Sequence, residues 1–203
     1  MKDHEKHGAA MRDAVTRGDL DGMRREAHFL VSLQLDRGAD PAWRQKLESL
    51  NSAAARVANS TDMTEASHSL GAVAKTCGDC HVMIGKPDAT MAEPAPDDSG
   101  VRPRMLRHQW AVAQLWNGLV IPSDDAWKAG AKALAEAPLS PALLTPGKTP
   151  VPKVGILTDS VHEIGRRAET LEDAGARVAI LGDLMATCAE CHLWFGAGPS
   201  SAP

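Results

Sequence analysis

Two pentapeptides hold all four cysteines of the chain, Cys77-Gly-Asp-Cys80-His81 and Cys188-Ala-Glu-Cys191-His192. Each is a CxxCH motif, the spacing of a c-type haem attachment site. The chemistry accounts for the spacing. Two thiols add across the two vinyl groups of one porphyrin, and the adjacent imidazole takes the iron from one side. On a helix, positions i, i+3 and i+4 share a face, so all three groups can meet one ring system. A thioredoxin-like CxxC would follow a strand and open a helix. Both motifs here close helical patterns, and both carry the histidine. One zinc ion shared by four thiolates would join pairs 111 residues apart and leave both histidines unexplained. The expectation is two covalently bound haem c groups, on Cys77 and Cys80 and on Cys188 and Cys191, with His81 and His192 as iron ligands.

The segments that must position these motifs also occur twice. An offset of 104 lays Met1-Lys-Asp-His4 over Met105-Leu-Arg-His108 and pairs Ala9 with Ala113, Asp21 with Asp125 and Leu30 with Leu134. From Pro41 onward the offset is 111, pairing Pro41 with Pro152, Asp62 with Asp173, Leu70 with Leu181 and Gly71 with Gly182. The second half therefore carries a longer loop, the Pro-rich stretch 138–152. The domain reading is a first haem domain at 1–86, a Pro-rich linker at 87–103 and a second haem domain at 104–203.

Each half reads as four helices. In the first, helix 1 runs from about Lys2 to Arg17, and helix 2 follows the cap Asp19 to about Arg37, before Gly38. Asp40 caps helix 3 with Pro41 at the first helical position. Helix 3 then reaches about Asn59, and helix 4 starts near Asp62 and carries the motif. The stretches 154–158 and 177–181 have strand propensity, but their repeat partners are helical in pattern. Leu70, Val73, Cys77, Cys80 and His81 share one face, as do Leu181, Leu184, Cys188, Cys191 and His192. The fold class is all-α, two tandem four-helix bundles with a haem lodged between helices in each.

Composition agrees. Of 203 residues, 43 % are hydrophobic but only 3 % aromatic, with no Tyr, which disfavours a β-sandwich or barrel. No apolar run approaches the length of a membrane span. The net charge is −4 with no Lys/Arg block, which argues against nucleic acid as a partner.

A CxxCH near the end of a four-helix bundle resembles the class II cytochromes c, the cytochrome c prime superfamily, in tandem dihaem form. The resemblance covers each half nearly end to end. In that superfamily helix 1 presents an apolar residue or a Met to the second face of the iron. This chain departs from both by offering His4 and His108 at matching positions. The expectation is that both ligate iron. His7 and Met11 compete with His4 on its helical face, whereas the matching positions in the second half are Ala111 and Leu115, which cannot ligate. His28, His68 and His162 read as polar-face residues. Trp43, Trp110, Trp116, Trp127, Trp194 and Phe195 read as core or haem wall. Arg12, Arg104 and Arg107 are candidates for the haem propionates.

Two haems closed on both faces would exchange single electrons with little rearrangement. The functional expectation is an electron-transfer relay between donor and acceptor proteins, with no catalytic motif beyond redox. The alternative is nitric oxide or carbon monoxide binding at an open or displaceable sixth position. A dihaem peroxidase is disfavoured, because those enzymes resemble the other cytochrome c arrangement. The resemblance also implies export to the periplasm, and residues 1–7 contain no apolar signal-peptide core.

Overall fold

The structure is a computed structural model and describes residues 3–85, 100–136, 139–145 and 151–196. All regular structure among these is helical: α1 (His4–Thr16), α2 (Leu20–Val31), α3 (Pro41–Ala58), α4 (Met63–Met83), α5 (Val101–Val120), α6 (Asp124–Glu136), α7 (Pro141–Leu144), α8 (Pro152–Glu169) and α9 (Ala174–Trp194). The two stretches with strand propensity lie inside α8 and α9.

Helix boundaries follow the repeat. The 111-residue offset carries α3 onto α8 and α4 onto α9, end for end, and the 104-residue offset carries Thr16, the end of α1, onto Val120, the end of α5. The caps follow it too. The Asp62 carboxylate accepts from the Glu65 N–H at 2.9 Å, and its partner Asp173 accepts from Ala176 at 2.8 Å. Each satisfies an N–H that the first turn leaves without a helical acceptor. Pro41 and Pro152 both stand at a first helical position, where no N–H is required.

Two boundaries differ from expectation. Helix α2 stops at Val31, not near Arg37. The Ser32 hydroxyl bonds back to the Phe29 carbonyl at 2.7 Å, and Asn51 of α3 donates to the Leu33 carbonyl at 3.2 Å. The tertiary bond from Asn51 thus takes the Leu33 carbonyl that another helical turn would have used. Helix α5 begins at Val101, so 101–103 are helical and not linker. Pro103 falls in the first turn, which tolerates it. Residues 86–99, most of the expected linker, lie outside the described residues, as do 137–138 and 146–150 of the Pro-rich loop.

Packing runs in chain order: α1 on α2, α2 on α3, α3 on α4, then α5 on α6, α6 on α8 and α8 on α9. By contrast, α1 meets α4, and α5 meets α9, only over short stretches. The contact between halves is extensive, led by α4 lying along α9 and joined by α4 on α5 and α1 on α9. Glycines permit the α4–α9 crossing. A Cβ on Gly71 would stand 2.7 Å from the Val178 carbonyl oxygen, and one on Gly182 would stand 2.9 Å from the His68 Cα.

One apolar core runs through both halves. Met11, Met23, Leu30 and Leu70 join Leu115, Trp127, Leu134, Leu181 and Met185, all fully buried. Burial of each such aliphatic side chain is worth about 1.5–3 kcal/mol. Trp127 also donates its indole N–H to the Ala168 carbonyl at 2.8 Å. Trp116 is buried as expected, but Trp194, the last residue of α9, and Phe195, its C-cap, are exposed, with the Lys153 ammonium 5.2 Å over the Trp194 ring.

Candidate functional site

Cys77, Cys80 and His81 occupy the last turns of α4, and Cys188, Cys191 and His192 the same turns of α9. All four cysteines are free and half-buried. Desolvation pushes the Cys77 thiol up to about 12, with the neighbouring Cys80 adding to it, and Cys188 up to about 12 by the same two causes. Burial also raises Cys80 and Cys191. These are neutral thiols at pH 7. Among the described residues, no group of three or more His, Cys, Asp or Glu is disposed to hold a metal ion.

Both motif histidines make the same hydrogen bond. His81 Nδ1 donates to the Val120 carbonyl at 2.7 Å, and His192 Nδ1 donates to the Thr16 carbonyl. A carbonyl oxygen only accepts, so Nδ1 carries the hydrogen in each ring. In the neutral imidazole Nε2 then keeps its lone pair for a metal.

Across from His81 stands His4, with ring centroids 6.1 Å apart and planes at 63°. Two imidazoles gripping one ion from opposite sides, with nitrogen–metal bonds of roughly 2 Å, hold their ring centres about 6 Å apart. The end of α4 thus brings two thiols, Cys77 and Cys80, and two imidazoles, His81 and His4, together, the donor types that a c-type haem would need. The competitors are engaged elsewhere. His7 bonds the Glu26 carboxylate at 2.5 Å and stacks on Phe29 at 3.6 Å, and Met11 is fully buried in the core.

In the second half, Cys188, Cys191 and His192 reproduce the thiol and imidazole set. His108 is buried, and the structure brings it to His162, with ring centroids 5.6 Å apart at 67°. His162 itself corrects the polar-face reading. It is buried, donates from Nδ1 to the Leu134 carbonyl at 2.5 Å and accepts the Leu139 N–H on Nε2 at 2.9 Å. Its signal was present in the sequence, because Val154, Thr158, Val161, Gly165 and Ala168 surround it on one helical face. His68 is half-exposed beside Asp183, 3.6 Å away, and His28 is exposed.

Two of the propionate candidates have carboxylate neighbours. Arg12 pairs with Asp13 at 2.8 Å, and Arg107 approaches Glu136 at 3.7 Å. An open groove of about 1370 Å³ between α8, α9 and the start of α4 is lined by Asp62, His68, Lys153, Glu163, Asp183 and Trp194, among others, and by none of the six motif residues. No described helix is long and apolar enough to cross a membrane.

Comparison of the chain with family models, with curated proteins and with solved structures yields no match.

Proposed function

We propose that the chain is a dihaem c-type cytochrome that relays single electrons between protein partners, built as two tandem four-helix bundles of the cytochrome c prime kind. One observation carries the reading above the others: a CxxCH closes two helices of matched length and register, and the ring of His4 faces His81 at the spacing of a two-imidazole site. Cys77 and Cys80, and Cys188 and Cys191, hold the two groups as thioethers, each thiol adding across one vinyl group. His81 and His192 supply the proximal nitrogen, and His4 and His108 the distal one. The haem iron, when bound, supplies a one-electron couple, and paired imidazoles favour its low-spin form.

The chain's own residues serve that task by holding still. His81 and His192 are pinned at Nδ1, and His4 is carried by a helix anchored in the core through Met11, Ala14 and Val15. Little rearrangement then accompanies gain or loss of an electron. The proposal includes attachment outside the inner membrane, in the periplasm. The contact of His108 with His162 favours a second reading for one site, in which the sixth position at His192 is open or displaceable and binds nitric oxide or carbon monoxide.

Expression with a cytochrome c maturation system tests the proposal. Intact mass should rise by two haems, and the ferric spectrum should be low-spin. An unshifted mass overturns the reading, and high-spin bands at both irons replace relay with gas binding.

A further inference from the structure

We propose that each repeat completes the metal site of the other: the carbonyl that ends α1 orients His192, and the carbonyl that ends α5 orients His81. Thr16 and Val120 are positioning residues, acting through their backbone oxygens. The inference rests on the haem reading for its consequence, but the contacts are between residues of this chain.

The contacts follow the repeat. Thr16 and Val120 are partners under one offset, and His192 and His81 under the other, so the same cross-half bond occurs twice at matched positions. Helix geometry supplies the acceptor. The last carbonyls of a helix have no intrahelical donor and carry the negative end of its dipole. An imidazole N–H aimed there is well bound, and its tautomer is set.

Packing between the halves holds these ends in place. At Gly78, one turn before His81, a Cβ would overlap the Leu119 carbonyl and meet the Pro122 ring at 3.1 Å, so α4 seats directly on the α5–α6 turn. At the other end, the Leu193 side chain fills the space beside Gly18 in the α1–α2 turn. The helix that bears each motif therefore docks on the opposite half, and neither half carries a complete site alone. A hydrogen-bonded Nδ1–H makes the imidazole a stronger donor to a metal. That stabilises the ferric state and lowers the reduction potential.

The test uses the full chain with both haems, counted by intact mass. Gly78→Ala pushes α4 off the Val120 carbonyl and should raise one of the two potentials. Loss of such an outer contact changes a metal equilibrium about tenfold, equivalent to about 59 mV for one electron. Leu193→Ala loosens the other dock and should raise the other potential. Proton NMR should show the matching axial Nδ1–H losing its protection from exchange in each variant. Potentials that stay fixed in both variants, or that move together by the same amount, overturn the proposal. If Gly78→Ala does not fold, Leu193→Ala alone decides, since that residue is half-exposed. A mass without haem removes the functional reading. Nitrogen NMR on the same chain then decides the contact, and Nε2–H tautomers at His81 and His192 overturn it.

Discussion

The ring of His4 stands 6.1 Å from the ring of His81, across the short contact between α1 and α4. His7, one turn along, is turned to Glu26 and Phe29. His4→Ala is therefore expected to convert the first haem from low-spin to high-spin and to create a carbon monoxide site, with no rescue from His7. Optical and EPR spectra of the variant check this, and an unchanged low-spin signal at both irons would sink the assignment.

His108→Ala separates relay from gas binding at the second site. Ligation by His108 predicts the same spectral change there. If His108 is instead held by His162, the second iron is already high-spin in the parent, and the substitution leaves its spectrum unchanged while lowering stability.

Removing one pair of thiols tests how far the halves depend on each other. Cys188→Ala with Cys191→Ala should leave a mass increase of one haem and preserve the spectrum of the first. Because α9 packs along α4 in a shared core, the variant should also unfold at lower temperature, in a single transition seen by probes in both halves. Two separate transitions would contradict a shared core.

Gly71 sits where α4 and α9 cross. Gly71→Ala places a methyl 2.7 Å from the Val178 carbonyl oxygen, which neither helix backbone can yield cheaply. Urea unfolding should show a loss of about 1–3 kcal/mol, the usual cost of overpacking.

His162 makes stability depend on pH. Burial holds its pKa below the ordinary 6.5, as do Arg166 and Arg104, against the opposing Leu134 carbonyl and Asp159. Below pH 6.5 the unfolded chain takes up a proton that the folded ring refuses, so stability falls as the pH drops through that window and is flat above it. His162→Gln should reduce that dependence in thermal melts at pH 5 to 7.5, at some loss of stability at pH 7. An equal slope in parent and variant would remove His162 as its source.

Much of the molecule was legible in the order of its residues, because the signals are local. Asp62 and Asp173 cap helices by reaching N–H groups three residues away, and Pro41 and Pro152 mark first turns wherever they occur. Cys77, Cys80 and His81 share a face through helix geometry alone, so their common placement on the last turns of α4 could be read before any packing was known. The early end of α2 was not legible, since it depends on Asn51 reaching the Leu33 carbonyl from another helix. Nor was the contact of His108 with His162, which are 54 residues apart and meet only when α5 and α8 are packed together. The cross-half bonds are the extreme case. Thr16 and His192 lie 176 residues apart, and neither shows any sequence sign of the other. Their meeting follows from the way two helical halves seat the ends of α4 and α9 on each other's turns, a choice made by shape and buried area rather than by any local preference of the chain.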